Sequence, residues 1–238
     1  PEQKPEYPIV SDLLKPGDFV VLVVPIDKAA PKGRLILPQQ QTIRDILEAG
    51  ALSVVPQDDP VGGTHSFPEK RKNPRLVITG RQGFLKGFPD KPQGKERYSL
   101  SFICYRHKGN LEELIRGVKA LDALQDEDTV LISEGCTHHR QCGDIGTVKL
   151  PAWVSKYTGK KLRFAYTSGT EFPVDLSPYS MVIHCGGCML NEREMKYRIQ
   201  CAADQGVPIA NYGLVIAQTQ GILKRSLEPF PQVSALLE

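Results

Sequence analysis

Long apolar runs, dense positive charge and a disulfide complement are all missing from this chain of 238 residues. Its longest uninterrupted apolar stretch is Phe19 to Val24, about a third of the roughly 20 residues that a bilayer crossing needs. Pro1 to Pro8 has neither the basic flank nor the apolar core of a signal peptide, so a cytoplasmic protein without membrane association is expected. Thirty Lys plus Arg stand against 27 Asp plus Glu, and the net charge of +3 is spread along the chain. Without a basic stripe to neutralise phosphates, no nucleic-acid partner is expected. Six cysteines are few for a chain of this size; in a reducing compartment, clustered thiols hold metal or carry out redox chemistry. There is no short-period repeat and no low-complexity tract. At 40% apolar and 24% charged residues, the composition is that of a globular protein of one large domain or two.

What is present is an alternation of β-branched runs and helical stretches. Asp18 to Ile26 reads as a buried strand, since its apolar residues do not alternate with polar ones. The pattern then predicts a helix from about Gln39 to Ala49, with Pro38 in its first turn and Ile43, Ile46 and Leu47 as its stripe. Strands follow at Ala51 to Val55, Arg75 to Thr79 and Tyr98 to Tyr105, separated by Gly- and Pro-rich loops at Pro56 to Pro74 and Gly83 to Gly94. Asn110 caps a helix running to Leu124. After the polar break Gln125 to Asp128 the rhythm restarts. Strands are expected at Thr129 to Ser133, Leu162 to Thr167, Met181 to His184 and Val207 to Ala210. Helices are expected near Pro151 to Tyr157, from Glu192 to Gln205 with Asn191 and Glu194 as a capping box, and from Gly213 to Leu227. Strands joined through helices need crossovers, so the fold class is α/β: two domains, 1–124 and 125–238, each a mainly parallel sheet flanked by helices.

Four of the six cysteines and three of the five histidines fall in two clusters of the second half, Cys136-Thr137-His138-His139 with Cys142, and His184-Cys185-Gly186-Gly187-Cys188. Each follows an apolar strand directly. In a parallel sheet, Cys136 and Cys185 therefore leave at the same edge, the carboxyl end where open α/β sheets bind ligands. The two glycines between Cys185 and Cys188 let both sulfurs turn to one centre and let backbone N–H groups approach them. Three thiolates plus an imidazole from His138 or His184 would close a structural Cys3His zinc site. The same thiolates with a weak fourth ligand suit an iron–sulfur cubane, and Cys142 is close enough in sequence to complete four cysteines. A thiol–disulfide pair at Cys185 and Cys188 is the third possibility.

Cys136-x-His138, the spacer His139 to Ile183, and His184-Cys185-x-x-Cys188 together resemble the signature of HydF, the FeFe-hydrogenase maturation factor family. Pro25 to Asp45, PIDKAAPKGRLILPQQQTIRD, resembles the start of that family's dimerisation domain. Asp144-Ile145-Gly146 with Lys149-Leu150-Pro151 resembles the stretch after its first cluster ligand. The likeness spans essentially the whole chain. It implies that Cys136, Cys185 and Cys188 bind a 4Fe-4S cluster whose fourth position is exchangeable, with His138, His184, Asp144 and Cys142 as candidates for it. It also implies a homodimer whose second half, 125–238, is the cluster-binding domain. In that role the protein receives a transient diiron subcluster precursor made with two radical-SAM maturases and passes it to apo FeFe-hydrogenase. HydF proteins also carry a GTPase domain. These residues contain no Gly-x-x-x-x-Gly-Lys-Ser/Thr: the nearest segment, Gly87 to Lys95, has the wrong glycine spacing and is followed by Glu96 where a hydroxyl must meet magnesium. The expectation is a scaffold rather than an enzyme.

The remaining candidates have plainer readings. Cys104 and Cys201 are expected as small buried residues. His65 and His107 are expected in solvent, His139 beside a better placed neighbour, and Lys70-Arg71-Lys72 as a solvated loop. Trp153 is expected as a core anchor. Loops at Thr167 to Glu171 and Asn211 to Gly213 should reach the edge that carries the cysteines. The first half has no clustered carboxylates and no nucleophile with a base, and its exposed sheet edges suit pairing between copies.

Overall fold

The computed structural model describes residues 8–24, 35, 37–56, 74–79, 96–99, 111–135, 144–187, 189–227 and 230–237. The chain divides into two compact units, Pro1–Ile103 and Cys104–Glu238. Each is built on a four-stranded sheet whose neighbouring strands all run parallel. The α/β class and the parallel sheets are as expected.

The first sheet contains β1 (Phe19–Val23), β2 (Leu52–Val54), β3 (Leu76–Thr79) and β4 (Glu96–Ser99), in the order β2-β1-β3-β4. Val20, Val21 and Leu22 of β1 are fully buried, which is why that strand reads as an unbroken apolar run. Helix α1 (Leu37–Glu48) buries Pro38, Gln39, Thr42 and Ile46. Its buried face is rotated from the expected stripe, leaving Leu47 exposed. Asp45 accounts for the rotation: its carboxylate accepts hydrogen bonds from the amides of Val10 and Ser11, both at 2.7 Å, and from the Ser11 hydroxyl at 3.0 Å. These bonds tie that side of the helix to the short turn Ser11–Leu13. Most of the two expected loops, the end of the strand expected at Tyr98 to Tyr105, and Cys104, His65, His107 and Asn110 lie outside the described residues.

The second sheet contains β5 (Thr129–Glu134), β6 (Arg163–Ser168), β7 (Met181–His184) and β8 (Ile209–Asn211), in the order β6-β5-β7-β8. Its helices are α2 (Leu111–Lys119), α3 (Leu150–Thr158), α4 (Glu192–Asp204), α5 (Tyr212–Thr219), α6 (Leu223–Leu227) and α7 (Pro231–Ser234). From β5 the chain winds outward to β6, then returns to place β7 on the other side. The winding thus reverses between β5 and β7, and the crevice at such a reversal is where open α/β sheets hold their ligands. The single helix expected at the end is two, α5 and α6. Trp153, expected in the core, is half-buried on α3, where Leu150 and Val154 supply the buried face. Among the described residues no helix is long and apolar enough to cross a membrane.

The unit boundary lies ahead of the one expected at Gln125. Helix α2 packs on β8 and α5, with Leu114, Ile115 and Val118 fully buried, so it belongs to the second unit. The approach is close enough that a methyl group on Gly117 would overlap the carbonyl of Ile209. Because that neighbour is sheet backbone, it cannot move aside as a side chain could. Gly117→Ala is expected to destabilise the second unit by about 1–3 kcal/mol, measured as a lower urea midpoint with an unchanged slope.

Candidate metal centre

At the carboxyl edge of β5 and β7, the register pairs Ser133 with His184, and the Cys185 amide donates to the Ser133 carbonyl at 2.8 Å. The two strands therefore end side by side. The Cys185 Sγ, buried at this edge, accepts a hydrogen bond from the Gly135 amide at 3.0 Å and another from the Gly187 amide at 3.4 Å. One donor comes from the residue preceding Cys136, the other from the glycine preceding Cys188. Backbone N–H groups aimed at a sulfur favour negative charge on it, the form in which cysteine binds metal. Gly187 can make this turn because its φ is +56° and because a side chain there would run into the Met195 sulfur. A side chain at Gly135 would collide with Leu190.

His184 is fully buried. Its Nδ1 lies 2.9 Å from the Cys185 carbonyl and its Nε2 lies 3.1 Å from Arg198 Nη1. A carbonyl only accepts and a guanidinium only donates, so Nδ1 carries the proton and the Nε2 lone pair faces Arg198. Both ring nitrogens thus have protein partners, and Nε2 can reach a metal only if Arg198 gives it up. Arg198 is itself fully buried. Its Nε donates to Glu194 at 2.8 Å and its Nη2 to the Gly169 carbonyl at 3.1 Å, and the guanidinium lies 5.1 Å from the Phe172 ring centroid. The expected capping box is half present. Asn191 Oδ1 accepts from the Glu194 amide at 2.8 Å, while the Glu194 carboxylate turns to Arg198.

Asp144 opens the turn Ile145–Lys149 as its cap, its carboxylate accepting from the Thr147 amide at 2.9 Å and hydroxyl at 3.0 Å. Partial burial opposes its charge. The hydrogen bonds from Thr147 and from the amides of Ile145 and Gly146 together outweigh burial and hold the carboxyl below the ordinary aspartate range. The same turn rests against β5, where Gly146 lies so near the Glu134 carboxylate and the Tyr212 hydroxyl that a side chain would overlap both. Tyr212 donates to Glu134 at 3.1 Å, and both residues are buried.

Of the residues picked from the sequence, the structure brings His184 and Cys185 to the switch point, next to Gly135. Cys136, His138, His139, Cys142 and Cys188 lie outside the described residues, and among those described no three His, Cys, Asp or Glu side chains gather as a metal site. The two expected lining loops reach the edge: Gly169 meets Arg198, and Asn211 stands in register with His184. Asn211 is fully buried, and its Oδ1 accepts from the Leu214 amide at 2.8 Å to cap α5. Its Nδ2 has no hydrogen-bond partner among the described residues. Arg198, Glu134 and Tyr212 were not singled out from the sequence. Arg198 had a signal, since it occupies a position in the buried stripe Met195, Arg198, Ile199, Ala202 of α4. Cys201, expected buried, is half-buried.

Two family models match the chain, the Hydrogen maturase F dimerization domain over residues 9–109 and the Hydrogen maturase F tetramerization domain over residues 112–229. The chain belongs to the hydrogen maturase F family. A search of curated proteins returns no match. Both halves are thus self-association domains of hydrogen maturase F, and the chain's role lies in hydrogenase maturation. The two matches meet near residue 110, again assigning α2 to the second half. Tetramerization goes beyond the homodimer expected from the sequence, and the cysteine motifs lie within the tetramerization domain.

Asp144 supplies a pH-dependent test. Its carboxyl is held below its unfolded value, so the charged form adds stability above that unfolded value, and the contribution is lost as pH falls through the folded one. Asp144→Ala is expected to cost about 0.5–2 kcal/mol at neutral pH. Asp144→Asn keeps a cap without the charge; its smaller deficit should close as pH falls below about 4. Urea unfolding of the metal-free chain across this range reads both.

Proposed function

We propose that this chain is a cytoplasmic scaffold that holds a 4Fe-4S cluster through Cys136, Cys185 and Cys188. The transient diiron subcluster precursor would be its cargo, received with the help of two radical-SAM maturases and delivered to apo FeFe-hydrogenase. The observation that carries this is Cys185 at the sheet's switch point, its sulfur held between the amides of Gly135 and Gly187. Those amides precede Cys136 and Cys188, and the proposed donor set, three thiolates from two segments, suits a cubane with one replaceable corner. Asn211 Nδ2, without a partner among the described residues, fits the same purpose. A buried donor left unmade costs about 1–3 kcal/mol, and a bound group with an acceptor would remove that cost.

When bound, the cluster supplies an iron corner at which the cargo can enter and leave. The chain's residues do the rest. Cys185 is fixed by two amides and by the bond of its own amide to Ser133, so the thiolate stays put while a ligand changes. The buried surroundings of His184 and Asn211 keep bulk water from one side of the site. The exchangeable fourth ligand is drawn from His138, His184, Asp144 and Cys142. Self-association through both domains would present several such sites on one assembly.

Anaerobic reconstitution with iron and sulfide tests the proposal. The expected product is brown, with about four irons and four sulfides per chain, and Cys136→Ser, Cys185→Ser or Cys188→Ser should each lose it. A colourless product holding one zinc per chain would replace this function with a structural Cys3His zinc site.

A further inference from the structure

We infer that Arg198 is a positioning residue that holds His184 as the Nδ1–H tautomer, so that His184 supports the Cys185 turn and is withheld from iron. Three contacts immobilise Arg198 independently of His184: the Glu194 carboxylate, the Gly169 carbonyl and the face of Phe172. Glu194 is in turn placed by the cap of α4, where its amide bonds Asn191. The guanidinium therefore reaches His184 from a fixed frame, fully buried, and can only donate to Nε2. With Nε2 accepting, the remaining ring proton is on Nδ1 and is donated to the carbonyl of Cys185. The carbonyl that follows β7 is thus tied on one side by the imidazole, while the Cys185 amide is tied on the other by Ser133.

The consequence is chemical as well as geometric. An imidazole coordinates through a lone pair, and the Nε2 lone pair is occupied by a cation that has no acceptor capacity of its own. Nδ1 offers none while it donates to the carbonyl. His184 acts behind the cysteine rather than on the metal, in the manner of outer-shell groups that orient a ligand. The fourth position then falls to a group other than His184, and His184 leaves the candidate set.

The inference rests on the cluster-scaffold role proposed above, but its first test does not need the cluster. Two-bond 15N–1H correlation NMR of the histidine-labelled, metal-free chain reads the tautomer directly. The wild type is expected to show His184 protonated at Nδ1 and bare at Nε2, assigned by its loss in His184→Asn. Arg198→Met, which removes the donor and the charge together, should shift protonation toward Nε2; Arg198→Lys, which keeps a cationic donor, should preserve the wild-type pattern. A wild-type His184 protonated at Nε2 overturns the inference, as does an Arg198→Met spectrum identical to wild type.

The second test uses the reconstituted protein. Pulsed electron paramagnetic resonance of the reduced wild-type cluster is expected to show no directly bound histidine nitrogen that vanishes in His184→Asn; finding one overturns the inference. Arg198→Met should weaken cluster retention against a chelator by about 10-fold or more, and retention equal to wild type counts against it. Failure of the wild type to assemble any cluster refutes the scaffold role while the NMR result still decides the role of Arg198.

Discussion

A sulfur atom that accepts hydrogen bonds from two backbone amides on different segments requires those segments to stop at the same height. In the second unit that is a property of the sheet. Strands β5 and β7 are parallel neighbours, their register aligns Ser133 with His184, and the winding reverses between them. The Gly135 and Gly187 amides converge on Cys185 because of that arrangement. Every other part of the candidate centre is placed by reference to it: Glu134 one residue before Gly135, Asn211 across from His184, and α4 behind the turn with its arginine pointing back. A slip of one residue in this register would send the side chains to the opposite faces and break the convergence of the two amides on Cys185.

Much of this was legible in the sequence, for identifiable reasons. Strands buried on both faces are written as solid apolar runs, as in Met181 to Ile183 and Phe19 to Val23, so the strand expected at Met181 to His184 coincides with β7 and the one expected at Asp18 to Ile26 contains β1. Cysteine motifs placed immediately after such strands can be assigned to the carboxyl edge without coordinates. Less legible was whatever depends on tertiary partners. The buried face of α1 follows from Asp45 capping a distant turn. The membership of α2 follows from a glycine that allows a helix onto strand backbone, which periodicity does not encode. The split between α5 and α6 likewise left the apolar pattern intact. Residue type and spacing offer His184 as a possible ligand but do not reveal which atoms already have partners, and the contact with Arg198, fourteen positions later, is not written in that spacing.

The two units share a winding order, with the first strand of each flanked by the second and third, yet they differ in what the carboxyl edge carries. The first unit holds no cysteine–histidine cluster in its sequence, and it matches the dimerization domain. Leu47 and Leu52 there are more than half exposed, and β2, which carries Leu52 and Val54, is an edge strand of the sheet formed by the described residues. Apolar side chains beside a sheet edge are a liability in a lone subunit and an asset in an associating one. The second unit matches the tetramerization domain, and that match covers both cysteine motifs.

Asn211 has an implication for the life of the empty protein. An amide donor sealed in the interior with no acceptor among the described residues is a deficit in the folding balance, and it falls on the unloaded form alone if a passenger accepts from it. By mass-action linkage, whatever accepts from that group raises the unfolding free energy of the copies that carry it. Vacant copies then open more often, and cellular proteases that sample open chains would remove them first. On the scaffold role proposed above, the surviving population would be enriched in loaded copies.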